Sequence, residues 1–262
     1  MGIHATAIIS PRAEIASDVE IGPFVVIQGK VSIGAGTRIG AHAVIGHDHG
    51  EVRIGQRNHF FSGAAVGGPP QDLSYKGEAT RLEMGDGNIV REYATINCGT
   101  VKGGGLTKIA DNCMFMAYVH VAHDCQLANN VVIANTTNFA GHVMVEDNVR
   151  IGGVCAFNQF VRVGRFAYIA GESAVNKDIL PFTMVQGMGE YAVSRATNKV
   201  GLERAGFSKD EVDNIHRGIR ALLMGNRTIE EALDLIAKEC VPSPNIEHLV
   251  NFVRKSERGI AR

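Results

Sequence analysis

The chain has 262 residues, with 26 Lys and Arg against 27 Asp and Glu, and its near-zero formal charge gives no long-range pull toward nucleic acid. No uninterrupted apolar run approaches a membrane span, and no basic segment followed by an apolar one opens the chain. Five cysteines without an export signal suggest a reducing cytoplasm. Glycine is abundant and aromatics are scarce, which suits a solenoid with narrow turns around a core of Ile, Val and Ala.

Taken in order, the chain opens with Ile3, Ile9, Ile15, Ile21, Ile27, Ile33, Ile39 and Ile45, always six apart. Neither an α-helix nor a half-buried strand has that period. A hexapeptide period predicts a parallel β-helix, with three hexads to each turn of a triangular prism. Gly22, Gly34, Gly40 and Gly46 follow the isoleucines where a corner calls for a permissive backbone. Four residues after each Ile comes a second compact residue (Ala7, Ala13, Val19, Val25, Val31, Thr37, Ala43), so two positions per hexad face inward. The period resumes at Ile109, Phe115, Val121, Leu127, Ile133, Phe139, Val145, Ile151, Phe157, Val163, Ile169 and Val175. Cys113, Cys125 and Cys155 fall on the second inward position and read as small buried hydrophobes.

Three segments abandon the pattern: a short loop at His47-Asp48-His49-Gly50, a long one running from Gly67 to Gly77, and an excursion, Val101 to Leu106. Loops held on a rigid scaffold are where binding residues tend to sit. Pro181 marks the exit from the repeat. Ser208-Lys209-Asp210-Glu211 and Thr228-Ile229-Glu230-Glu231 are capping-box patterns, and Ser243-Pro244 offers an N-cap with Pro in the first turn. The expected organisation is a β-helix over 1–187 and a small α-helical domain over 188–262. The flat flanks of a repeat array are open to partners, and Tyr93, Phe115, Phe139, Phe157 and Phe160 add aromatics to the second half. A homotrimer of prisms is the expected closed assembly.

His120, His123 and His142 all miss the inward positions. Eighteen residues make one turn, so His123, Gly141 and Gln159 form one outward row, with His142 one residue off it. Neutral imidazole is a natural base near pH 7, and an adjacent carboxylate can fix its tautomer. Asp124 is the candidate partner, although neighbouring residues in a strand point apart. Gly141 would let a substrate approach the backbone, and its N–H could serve a developing oxyanion. A metal held by His120, His123 and Cys125 is disfavoured, because Cys125 faces inward and the ligands do not converge. A Ser-His-Asp arrangement lacks its serine. No metal or cofactor is expected.

Several motifs are specific: Gln71-Asp72-Leu73, Gly103-Gly104-Gly105-Leu106-Thr107-Lys108, His120-Val121-Ala122-His123-Asp124-Cys125, Phe139-Ala140-Gly141-His142-Val143, Ile151-Gly152-Gly153, Gly201-Leu202 and Arg204-Ala205-Gly206-Phe207. Through them the whole chain resembles the UDP-N-acetylglucosamine acyltransferases that begin lipid A synthesis. The resemblance implies a left-handed β-helix, a homotrimer with sites between subunits, and no cofactor. It implies transfer of an (R)-3-hydroxyacyl chain from acyl carrier protein to the 3-OH of UDP-N-acetylglucosamine. His123 would be the general base, Asp124 its partner and Gly141 the oxyanion donor. Gln71, Asp72, His120, His142, Gln159 and Arg204 would contact the sugar nucleotide, and Gly171 would set acyl-chain length. The chain departs from the family pattern at Ser74, Asn97, Asn158, Val200 and Ala205. Those departures keep open an amino-sugar acceptor or a non-catalytic nucleotide-sugar-binding relative. An acidic carrier protein would dock on basic residues, with Arg162, Arg165, Lys177 and Arg195 as candidates.

Overall fold

The computed structural model describes residues 2–187 and 191–262. Three sheets of nine, eight and ten strands form the faces of a prism, and throughout the repeat each strand pairs in parallel with the strand three later in the chain. Most strands are two residues long, as in Val26–Ile27 and His120–Val121. Register advances by one turn of eighteen residues, with Val26 beside Val44 and His120 beside Asn138. This is a left-handed parallel β-helix followed by helices.

The hexad explains the packing. Val25 and Ile27 are buried while Val26 between them faces outward, and the pattern repeats at Val143, Met144 and Val145. One aliphatic or aromatic layer therefore stacks on the next, about 4.8 Å apart. Phe139 and Phe157 stack in the core with centroids 4.6 Å apart. Ile3, at an inward position of the first coil, is exposed, and so is Ile8, at the outward position paired with Val26. Cys113, Cys125 and Cys155 are buried, and desolvation pushes the Cys125 thiol up to about 12.

Corner chemistry differs from the sequence expectation. Gly46 does take a left-handed backbone (φ 82), but most left-handed corner positions belong to other residues, including Phe24, Tyr118, Asp124, His142 and Phe160. Gly34 is needed for a different reason: a Cβ there would lie 2.6 Å from Gly55 O in the next coil. Close stacking of coils, not turn geometry, selects that glycine.

Residues 188–190, where the expected domain boundary falls, lie outside the described residues. Thr183–Gln186 continues one sheet, and Val193–Thr197 returns antiparallel to it. Four helices follow: α1 (Lys199–Arg204), α2 (Lys209–Leu223), α3 (Ile229–Glu239) and α4 (Pro244–Arg254). Thr228 and Glu231 make a complete capping box. Ser208 caps α2, but the Glu211 side chain turns to Ser243 and Asn245 and ties α2 to α4. The chain end then returns to the prism, where Ile260 bridges Asp178 and Ala261 joins the core.

Candidate active site

Asp124 sits on a corner with φ 60, immediately after the strand His120–Val121 and two further residues. The left-handed backbone swings its carboxylate to the side of its neighbour, so His123 Nδ1 lies 2.8 Å from Asp124 Oδ2. A straight strand would have pointed the two apart. His142 occupies the same corner one coil on, with its N–H on the His123 carbonyl. Its Nε2 is 3.7 Å from Asp124 Oδ2, its ring meets that of His123 edge-on at 5.3 Å, and it stacks on Phe160 at 4.4 Å. Burial holds the His142 pKa below the ordinary imidazole value, against the opposing pull of Asp124. His120 bonds Thr95 Oγ1 through Nδ1 at 2.7 Å and is likewise lowered by burial, with His123 adding to the effect.

Both members of the pair are buried, His123 at 6% exposure and Asp124 at 4%. The sequence reading left the imidazole on an outside wall for a second copy to cover. In fact the chain's own excursion folds over the carboxylate. Thr100 N–H donates to Asp124 Oδ1 at 2.8 Å and Thr100 Oγ1 to Oδ2 at 2.6 Å. The Asp124 N–H donates to Thr107 Oγ1 at 2.8 Å. Every side-chain partner of Asp124 is thus a donor, which makes His123 Nδ1 a donor and leaves the Nε2 lone pair for a substrate proton.

Gly141 serves this arrangement in a way periodicity did not reveal. A Cβ on Gly141 would stand 2.5 Å from His123 Cε1, so the missing side chain makes room for the His123 ring. Among the described residues its N–H has no hydrogen-bond acceptor, which leaves it free for an oxyanion. His123, Asp124 and His142 each bring one possible metal-donor atom within 4.8 Å of the others. A hydrogen bond already joins His123 Nδ1 to Asp124 Oδ2 within that cluster. Cys125 is in the prism core with Sγ on Ala140 O, away from the imidazoles.

A buried His–Asp pair on the corner of a hexapeptide prism is the setting in which the comparisons with known proteins become informative. Residues 178–261 match the family model for UDP N-acetylglucosamine O-acyltransferase, domain 2, and residues 3–47 and 106–141 match bacterial transferase hexapeptide repeats. An acyl-[acyl-carrier-protein]–UDP-N-acetylglucosamine O-acyltransferase of Thermodesulfovibrio yellowstonii is 44% identical over 260 residues, 99% of each chain. One from Xanthomonas campestris pv. campestris is 43% identical, covering 99% of this chain and 97% of its own. The UDP-N-acetylglucosamine acyltransferase structure from Bacteroides fragilis superposes with a TM-score of 0.94 at 39% identity, over 99% of this chain and 100% of that one. The chain belongs to the UDP-N-acetylglucosamine O-acyltransferase family.

The residues singled out through the family pattern fall into separate groups. Asp72 is near enough for His123, His142 and Lys102 to feel its charge, and the Ser74 N–H, at 2.7 Å, is the main cause holding its carboxyl below the ordinary range. Ser74 therefore shapes the acyltransferase loop through its backbone. Gln71 is exposed beside it, and Gln159 is exposed on the next coil of the Gly141 row. Asn97 donates to Pro69 O at 2.8 Å, joining the strand before the excursion to the long loop. Asn158 is exposed.

Arg204 lies elsewhere in the chain. With Val200, Ala205, Asn198, Tyr168 and Arg150 it lines a cavity of about 670 Å³ that shares no lining residue with the His123 cluster. Gly171 is exposed in the corner row of Gly153, whereas Gly141 belongs to the row of His123 and Gln159. Two of the four basic residues expected to face a carrier protein are structural. Arg162 lies over Phe252 and donates to the Phe252 and Lys255 carbonyls, and Arg165 donates to Asn245 Oδ1. Lys177 and Arg195 are exposed. Of the aromatics first associated with assembly, Phe115, Phe139 and Phe157 are core, and only Tyr93 and Phe160 are exposed.

Sequence reasoning missed Thr100 and Thr107. Thr107 stands two residues before Ile109, an inward position of the hexad, and Thr100 stands where the excursion begins; the period gives a facing there but no partner. The available signal was the glycine run: a Cβ on Gly103 would lie 2.1 Å from Asp124 Cγ. A glycine that must admit a carboxylate marks what the loop folds around.

Proposed function

We propose that the chain transfers an (R)-3-hydroxyacyl group from acyl carrier protein to the 3-OH of UDP-N-acetylglucosamine, the first step of lipid A synthesis, in the cytoplasm. The observation that carries the reading is the His123–Asp124 pair at 2.8 Å, covered by its own loop and next to an unoccupied Gly141 N–H. His123 Nε2 takes the proton of the sugar hydroxyl as its oxygen attacks the thioester carbonyl. Asp124 stabilises the imidazolium, and the Gly141 N–H receives the oxyanion of the tetrahedral intermediate. Collapse expels the carrier thiolate, which takes the proton back from His123. The buried pair argues against a purely binding role. The name shared by the relatives favours a hydroxyl acceptor over an amino one.

Asp72, Gln71, His120, His142 and Gln159 surround the acceptor, and Gly171 bears on acyl length through the family pattern. Arg204 completes the site from a second copy in a homotrimer. What supports this is the distribution of residues, since the Arg204 cavity and the His123 cluster have no lining residue in common. His123→Ala should abolish transfer from acyl carrier protein while the protein stays folded. Turnover close to that of the unaltered enzyme removes the assignment. Co-expressing His123→Ala with Arg204→Ala subunits should restore part of the activity that each lacks alone, and no recovery removes the shared site.

A further inference from the structure

We infer that Thr100 is a positioning residue for acyl transfer, acting on His123 through Asp124. The inference rests on His123 being the base. Thr100 grips both carboxylate oxygens, with its backbone N–H on Oδ1 and its hydroxyl on Oδ2, the oxygen that also receives His123 Nδ1. The direction of the hydroxyl is fixed as well. Its oxygen accepts the Gly103 N–H at 3.2 Å, as the cap of the short 3-10 turn Val101–Gly103, so its hydrogen is committed to Asp124. A chain of donors runs from Gly103 through Thr100 to Asp124 and meets the proton of His123 Nδ1 at its far end.

The surroundings show how closely the loop is fitted to that carboxylate. A Cβ on Gly99 would stand 2.8 Å from Oδ1, and one on Gly103 only 2.3 Å from Oδ2. The Asp124 side chain is 1% exposed, so water does not replace a lost donor at low cost. His142 Nε2, at 3.7 Å from Oδ2, is the competing partner. With Thr100 in place the carboxylate faces His123. Without its hydroxyl the carboxylate is free to turn toward His142, and the imidazole loses both its orientation and its fixed tautomer. The excursion that interrupts the repeat thus exists to hold an aspartate still. Thr100 is not placed against the acceptor sugar, so its loss should fall on turnover and not on sugar binding.

The test is steady-state acyl transfer by the full-length enzyme, with Thr100→Val and Thr100→Ser compared to the unaltered chain. Loss of one hydrogen bond to a charged group corresponds to roughly a 10- to 100-fold fall in kcat for Thr100→Val, with KM for the sugar nucleotide within about twofold. Thr100→Ser, which keeps the hydroxyl and the cap, should return most of the lost rate. In proton NMR the slowly exchanging Nδ1 proton of His123 should persist in the serine variant and broaden in the valine variant. Thr100→Ala, which adds no bulk over the carboxylate, takes the place of valine if that variant fails to fold. Undiminished kcat without the hydroxyl overturns the inference, as does a loss that serine leaves unrepaired. If His123→Ala itself stays active, the catalytic reading fails first; if it is inactive while Thr100→Val works normally, only the positioning role fails.

Discussion

Gly141→Ala separates the two tasks assigned to that residue. An alanine keeps the backbone N–H, so an oxyanion donor would survive the change. What it adds is one methyl carbon, and that carbon would sit 2.5 Å from His123 Cε1 and 2.9 Å from both ring nitrogens, where ordinary contact begins near 3.4 Å. The ring must retreat by roughly 1 Å, a displacement able to cost about 10²-fold in rate. It cannot retreat freely, because Nδ1 is fixed to Asp124 at 2.8 Å and His142 stands edge-on at 5.3 Å. Overpacking of this kind costs about 1–3 kcal/mol of stability. The expected outcome is therefore a fall in kcat of about two orders of magnitude with only a modest drop in Tm. Acyl transfer and thermal unfolding, measured on the same preparation, check both parts. Full activity in Gly141→Ala would show that His123 does not act from the position it occupies.

Five histidines, at 47, 59, 120, 142 and 216, have pKa values below the ordinary imidazole value, with burial the leading cause in each. The unfolded chain therefore takes up their protons first as pH falls, and Tm should decline as pH drops below about 6.5; a Tm that rises on that acidification contradicts the sign. Arg165→Glu should lower Tm by disrupting the junction with α4, since it removes the bond to Asn245 and sets a carboxylate near Glu146, while KM for the acyl donor stays put. A changed donor KM at constant Tm would restore Arg165 to a docking face. Asn88→Ala leaves the Cys113 N–H and the Ala110 carbonyl without the partner they have in a fully buried ladder, and should cost about 2–4 kcal/mol, read as a clear fall in Tm. A loss below 1 kcal/mol would show that water reaches the ladder.

The prism was legible because its rule is local and repeated. An isoleucine every six residues leaves one inward register, and the core from Val19 to Val175 follows it. The corners were legible as corners but not in their chemistry, because the reason for a glycine depends on the coil above. Gly34 and Gly46 look alike in sequence, yet only Gly46 has a positive φ, and Gly34 yields to the backbone of Gly55. The helices were legible through their caps, whereas the partner of Glu211 was not: the side chain satisfies α4 instead of its own N-terminus. A cap pattern specifies a local bond, and a stronger bond at a distance takes the side chain away.

Asp124 was the candidate partner of His123 in spite of the strand rule, and the structure sets the two side chains together. Strand alternation argues that residues 123 and 124 face apart, and that holds only while both are extended. The corner places Asp124 at φ 60, a conformation that few side chains adopt without support, and here Thr100 and Thr107 supply the support. The same bonds that stabilise an unfavourable backbone also aim the carboxylate, so the conformational cost and the His123–Asp124 geometry have one origin. A repeat period does not disclose this, because it assigns a facing and not a partner, and Thr100 stands where the excursion leaves the coil. Interruptions in a solenoid are therefore the places to look for what holds its polar side chains, and the stretch from Gly99 to Thr107 illustrates it: without it Asp124 loses the donors Thr100 supplies and the acceptor Thr107 supplies.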